Sequence, residues 1–284
     1  MKKPIIALIY DFDKTLTDRD MQDYGFIPGL NMTPEDFWRE CNGMAHEKKM
    51  DGILAMMFFM IEQARGKSVI TADTLKALGK DVNYYPGVPE WFKIINDYGK
   101  EKGVVIEHYI ISSGLKKIIE GTSIAFNFKE IFASDFVYDG YGTPYWPAIA
   151  LNYTSKTQFL YRINKGIFDI SEDEALNDTM DERRRRVPFS NMIYIGDGLT
   201  DVPSMKLTKL NGGHSIGVYA EKSEGVRKMM SAGRINFMAK ADYGKDGELM
   251  KIVKRIIDML AAENELNELS HFQFDKSIMP PSAD

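Results

Sequence analysis

The chain has 284 residues, with 36 Lys and Arg against 41 Asp and Glu, a formal net charge of −5, and 44% hydrophobic residues. That mixture belongs to a folded globular chain and excludes collagen-like and disordered classes. A pI near 5.6 is the wrong sign for a general nucleic-acid or anionic-membrane binder, since both need a basic surface. One cysteine, Cys41, excludes an intramolecular disulfide and a cysteine-rich zinc site, and makes the cytoplasm the expected location.

The opening MKKPIIALIYDFD has two lysines and an apolar stretch, as an export signal does. The stretch ends at Tyr10 in acidic residues with no small-residue cleavage site after it, so Ile5 to Tyr10 reads as a buried strand. From Asp18 to Pro86 the pattern is mainly helical. Thr33 is a helix cap followed by Pro34, Glu35 and Asp36, residues suited to a helix N-terminus. Met50, Ile53, Leu54, Met57, Ile61 and Ala64 keep helical spacing, and Met56, Phe58, Phe59 and Met60 make the other faces apolar too. The uncharged run Gly52 to Ile61 within it is well short of the ~20 residues a bilayer-crossing helix needs. Thr71 caps a further short helix ending at Gly79.

After Pro86-Gly87 strands and helices alternate. Pro89 opens a helix through Tyr98, and a strand over Val104 to Ile111 follows. Gly114 marks the turn into a helix carrying Ile118 and Ile119. Phe132 to Tyr138 and Trp146 to Tyr153 flank Asp139-Gly140-Tyr141-Gly142 as a hairpin. A helix over Ser155 to Ile163 precedes the polar stretch Ser171 to Arg186. Strands at Met192 to Ile195, Ser215 to Tyr219 and Ile235 to Met238 come next, then the amphipathic helix Glu248 to Leu260. Such alternation predicts an α/β fold: a Rossmann-like parallel sheet with helices on both faces and the helical segment inserted after the first strand. The expected division is a core of residues 1–17 and 87–270, an insertion over 18–86 and a polar tail over 271–284.

Four clusters at predicted strand ends carry chemistry. Asp11 and Asp13, in DFDKTLT, put two carboxylates at i and i+2 where ligands bind in an open parallel sheet. Ser112, in IISSG, offers a hydroxyl and backbone N–H groups for an anion. Lys156 stands at a helix N-terminus, a position the helix dipole disfavours and a neighbouring carboxylate would offset. Asp197 and Asp201, in IGDGLTD, are acids four apart that can face one oxygen-ligated cation such as Mg²⁺. Taken singly, these are also compatible with capped turns and a surface lysine. Their order along the chain is what coincidence explains poorly.

In that order the chain resembles the haloacid dehalogenase superfamily, specifically its Mg²⁺-dependent phosphatases. DFDKTLT matches the first family motif, IISSG the second, Lys156 the third and GDGLTD the fourth, and YYPGVPEWF resembles the family's re-entry into the core. The resemblance implies that 18–86 is a helical cap. It further implies Asp11 as nucleophile, Asp13 as proton carrier, and Ser112 and Lys156 as phosphate ligands. Mg²⁺ would be held by Asp11, the Asp13 carbonyl and Asp197, with Thr15 and Asp201 supporting them from behind. Lys165 remains an alternative for the third motif, because the interval before Asp197 is long.

The implied activity is hydrolysis of a small phosphorylated metabolite through an aspartyl-phosphate. A phosphomutase or other phosphotransferase and a non-catalytic phospho-accepting module are the alternatives. Asp13 argues against dehalogenation, whose halide leaving group needs no proton. Asp20, nine residues after Asp11, has the spacing of the acid that phosphoserine phosphatases use for the substrate amine. The four histidines show no metal-ligand spacing, the arginine run Arg183 to Arg186 reads as a solvated face, and the oligomeric state stays open.

Overall fold

A computed structural model describes residues 3–66 and 70–278. It contains a seven-stranded sheet in the order β4-β3-β2-β1-β5-β6-β7. In chain order the elements are β1 (Ile5–Tyr10), α1 (Phe26–Gly29), α2 (Pro34–Lys48), α3 (Gly52–Ala64), α4 (Ala72–Leu78), α5 (Val88–Glu101), β2 (Val105–Leu115), α6 (Lys116–Glu120) and β3 (Phe128–Tyr138). They continue with β4 (Pro144–Ile149), α7 (Lys156–Lys165), α8 (Asp173–Asn177), β5 (Met192–Gly196), α9 (Val202–Leu210), β6 (His214–Tyr219), α10 (Glu224–Ser231), β7 (Phe237–Lys240) and α11 (Glu248–Ile278).

Every pairing is parallel except β3 with β4, which form the antiparallel hairpin at one edge. The expected α/β fold, a parallel sheet with helices on both faces, is the fold observed. The continuous apolar run of β1 has a simple cause in this arrangement. Ile6, Leu8 and Tyr10 enter the core cluster that also holds residues of α5, α6 and α11, while Ala7 and Ile9 enter the one built with α7, α9 and α10. Alternate side chains leave a strand on opposite faces, and here both faces are covered. Because β1 is central, with β2 on one side and β5 on the other, the chain reverses direction of strand addition beside it. The crevice this opens lies at the carboxyl ends of those strands.

The helical segment between β1 and α5 leaves and rejoins the sheet through two adjacent connections. Thr17 and Tyr84 form an antiparallel bridge, and the Tyr85 N–H donates to the Leu16 carbonyl at 3.0 Å. Thr33 caps α2 by accepting from the Asp36 N–H at 3.1 Å, and the Asp51 carboxylate caps α3 through the Ile53 and Leu54 N–H groups. In α3, Ala55, Met56, Met57, Phe59, Met60 and Ala64 are buried, and Phe37 meets Phe59 edge to face at 5.1 Å. No helix among the described residues is long and apolar enough to cross a membrane.

Several boundaries move. Gly114 does not end β2, which runs through Leu115 before α6 begins. Helix α11 does not stop near Leu260: it continues to Ile278, so most of the segment expected as a tail is helical. Its Leu, Glu and Lys residues favour helix without needing burial, and Leu266, Leu269, Phe272 and Phe274 are exposed along it. Residues 279–284 lie outside the described residues.

Where α4 meets α6, backbone approaches backbone. A Cβ on Gly121 would lie 1.7 Å from the Lys76 carbonyl oxygen, and one on Gly79 would lie 2.4 Å from that of Ile118. Neither atom can yield without moving a helix, so this contact seats the helical segment on the sheet domain. Gly121→Ala is expected to destabilise the protein by about 1–3 kcal/mol, read by urea denaturation. An unchanged midpoint would show that this contact bears no such constraint.

Candidate active site

Strand β1 ends at Tyr10, and the next residues turn sharply: Lys14 adopts a left-handed conformation with φ 58°. This turn leaves Asp11 and Asp13 at the crevice. Asp11 Oδ1 accepts from the Phe12 N–H at 2.8 Å and meets Lys156 Nζ at 3.1 Å. Its Oδ2 has no hydrogen-bond partner among the described residues. Asp13 Oδ1 accepts from the Met21 N–H at 2.8 Å, which ties the start of the helical segment to the second acid.

Lys156 is fully buried. Its ammonium sits between Asp11 and Asp201, with Asp201 Oδ1 at 2.8 Å. Tyr194, from β5, donates its hydroxyl to the same Oδ1 at 2.9 Å. A buried ammonium without such partners would lose its charge; the paired carboxylates instead raise its pKa against the opposing effect of burial. Lys165 lies at the far end of α7, where its Nζ donates to the Asp178 carbonyl at 2.6 Å and to that of Leu176, so it is Lys156 that the fold brings to Asp11.

Asp197 follows β5. Gly196 before it permits the approach of Asp201: a Cβ there would lie 2.5 Å from Asp201 Oδ2. Carboxylate oxygens of Asp11, Asp197 and Asp201 lie within 4.8 Å of one another. Asp201 is committed to Lys156, Tyr194 and, at 3.4 Å, the Gly198 N–H, which leaves Asp11 and Asp197 with open oxygen positions. Thr15, buried behind them, donates its hydroxyl to Asp197 at 3.4 Å, and its carbonyl accepts from Tyr243 at 2.8 Å. Ser112 is buried on β2, and its Oγ accepts from the Gly114 N–H at 3.0 Å. Ser112 lines the same cleft as Asp11, Asp13 and Asp197.

Too many negative charges share this space. Burial, then the Asp201 charge, pushes Asp11 up to about 7, with Lys156 opposing. Burial, then Asp201 and Asp11, pushes Asp197 up to about 8. Burial, then the Asp20 and Asp11 charges, holds Asp13 well above its ordinary value. An all-oxygen donor set with excess negative charge fits a hard divalent cation such as Mg²⁺ and not zinc or copper, which favour imidazole and thiolate.

Three participants escaped the sequence reading. Tyr194 lies within an apolar strand and resembles a core residue, and Tyr243 lies in a polar loop between Asp242 and Gly244, where nothing marks it. Gln22, which lines the cleft, lies in a stretch without periodicity. Asp20 pairs with Lys14 at 2.6 Å. In the arginine run, Arg186 pairs with Glu107 at 2.5 Å and Arg185 with Glu182 at 3.1 Å.

The raised carboxylate values make a stability prediction for the metal-free protein. Asp197 ionises near its ordinary 3.8 when unfolded but only near about 8 when folded. The native state therefore binds the proton more tightly and loses stability as pH rises between those values. Asp197→Asn should stabilise the chelator-treated protein, by about 1–3 kcal/mol more near pH 8 than near pH 5. Urea denaturation at the two pH values checks this; an equal effect at both would contradict it.

Comparisons with known proteins agree with this layout. The model of the haloacid dehalogenase-like hydrolases matches residues 8–206. An uncharacterized protein of Borreliella burgdorferi is 27% identical over 277 residues, covering 87% of this chain and 95% of that one. Among solved structures, a HAD family hydrolase of Salmonella enterica serovar Typhi superposes with TM-score 0.54 at 19% identity, over 83% of this chain and 67% of that one. A substrate-bound phosphoserine phosphatase superposes with TM-score 0.54 at 15% identity, over 90% of this chain and 99% of its own. At such identities the structural likeness speaks for the fold. The match to the family model extends over most of the sheet domain and the four motif clusters, and the chain belongs to the haloacid dehalogenase-like hydrolases.

Proposed function

We propose that this protein is a Mg²⁺-dependent phosphomonoesterase that works through a phosphoryl group carried on Asp11. The observation that carries the reading is the contact of a fully buried Lys156 ammonium with Asp11, which lines one cleft together with Asp13, Ser112 and Asp197. Family membership and the fold shared with phosphoserine phosphatases support the same class of reaction.

Asp11 is the nucleophile: its Oδ1 is held by the Phe12 N–H and Lys156, and its free Oδ2 attacks phosphorus. Lys156 and the Ser112 hydroxyl bind phosphoryl oxygens. Asp13, which burial and the neighbouring Asp20 and Asp11 charges make hold its proton more tightly than a free carboxyl, gives that proton to the leaving oxygen. The resulting carboxylate then takes a proton from the water that hydrolyses the aspartyl-phosphate. Asp201 and Tyr194 hold Lys156 in place, and Thr15 holds Asp197. Asp11, Asp197 and the Asp13 carbonyl would hold the Mg²⁺. When bound, the cation offsets the repulsion between the phosphate dianion and these carboxylates.

The helical segment 18–86 is a cap, since it supplies one wall of the cleft and is joined to the core by the paired connections at Thr17 and Tyr84. The single buried Cys41 and the acidic balance favour a cytoplasmic setting. The substrate is a small phosphorylated molecule, in keeping with a cleft of about 370 Å³.

The wild-type protein with Mg²⁺ should release phosphate from p-nitrophenyl phosphate, and a chelator should abolish the release. Asp11→Asn should lower turnover by at least about a thousandfold, while Asp13→Asn should leave a phosphorylated protein that hydrolyses slowly. Undiminished Mg²⁺-dependent release by Asp11→Asn would overturn the proposal.

A further inference from the structure

The cleft continues from the carboxylates to a wall built by the helical segment, where Gln22, Trp38, Asn42, Ile53 and Met56 line it. Apart from the acids assigned above, the charged residues lining the cleft are Lys14 and Asp20, and these neutralise each other at 2.6 Å. The wall therefore presents one charged residue, Asp20, and Lys14 already pairs with it. Trp38 has committed its indole N–H to Asp23 at 3.1 Å, so it presents only ring surface, and Met56 and Ile53 add further apolar area.

Gln22 is the exception. It is 1% exposed; its Nε2 donates to Met56 Sδ at 3.3 Å, but its Oε1 is buried with no hydrogen-bond partner. Ser113 Oγ, lining the same cleft, is buried and unpartnered as well. A buried carbonyl in this condition has given up water without replacement, a cost that a donor on a bound molecule removes. Two such atoms on one cleft point to a ligand that brings hydrogen-bonding groups, and the pairing of Lys14 with Asp20 points to a leaving group without charge.

Building on the phosphomonoesterase reading, we propose that Gln22 is a specificity-determining residue. Its Oε1 accepts a hydrogen bond from a hydroxyl or N–H of the leaving group. The site thereby selects phosphate esters of uncharged, donor-bearing alcohols that lay an apolar flank on Met56 and Trp38. A phospho-amino acid fits less well. Beyond the reacting acids, the charged partners that line the cleft for its ammonium and carboxylate are Lys14 and Asp20, already paired with each other, whereas the buried polar atoms need only a neutral donor.

A matched series tests this: glycerol 3-phosphate, propyl phosphate and phosphoserine share a three-carbon skeleton and differ in donors and charge. The wild-type protein should show kcat/KM for glycerol 3-phosphate about tenfold or more above that for propyl phosphate, and above that for phosphoserine. In Gln22→Leu the glycerol-to-propyl ratio should fall toward unity, while Gln22→Glu, which keeps an acceptor oxygen, should retain most of it. Equal wild-type rates for the glycerol and propyl esters, a preference for phosphoserine, or a ratio indifferent to Gln22→Leu would overturn the inference. The wild-type comparison stands even if a variant does not fold. Failure of the wild-type protein to hydrolyse p-nitrophenyl phosphate or any member of the series would instead overturn the underlying phosphatase reading, and the inference with it.

Discussion

The site depends on one buried ion cluster: the Lys156 ammonium held between Asp11 and Asp201 with no exposure to water. Such a charge is sustained only by close partners, so several otherwise unrelated features become necessary together. Asp201 must reach Lys156, and a side chain at Gly196 would block it. Tyr194 must present its hydroxyl from β5 to the same carboxylate oxygen. Helix α7 must begin at Lys156, although a positive charge is unfavourable there without these acids. The parallel sheet meets these demands by ending β1 and β5 side by side, so that the residues just after each strand share one crevice.

The same crowding has a thermodynamic cost. Asp11, Asp13 and Asp197 all hold their protons more tightly than free carboxylates do, which means that the folded chain alone does not favour their ionised forms. A protein selected for stability would not gather these acids. Under the proposed reaction their assembly has a purpose: the site would complete itself with a cation and a phosphate, and Asp13 would deliver a proton to the leaving group.

Much of this was legible in the chain itself, because strands and chemistry coincide. Asp11, Asp13, Asp197 and Asp201 each follow an apolar run short enough to be a buried strand, and in a parallel sheet that position is functional ground. Lys156 is harder, since a lysine nine residues later competes for the role; the amphipathic pattern from Lys156 favours it, and the fold sets Lys156 beside Asp11 and Lys165 at the far end of α7. Tyr194 was hidden because every residue of a fully covered strand is buried, so a tyrosine there looks like packing. Gln22 is hidden for the opposite reason, lying in a single 3-10 turn, Met21–Asp23, too short for any periodicity to reveal which way a side chain faces. The extent of α11 was misjudged because its last part follows from helix propensity and not from a buried face, and polar composition alone resembles a tail.

The central claim is that Asp11 itself receives the phosphoryl group. It is tested most directly by acid-quenching the Asp13→Asn variant during turnover of p-nitrophenyl phosphate with Mg²⁺ and mapping the peptides by mass. The account predicts one phosphoryl group on the peptide of β1, located on Asp11 and released by hydroxylamine, as an acyl phosphate is. Phosphate release in the wild-type protein without any such adduct in the variant, or an adduct on a different residue, would contradict it.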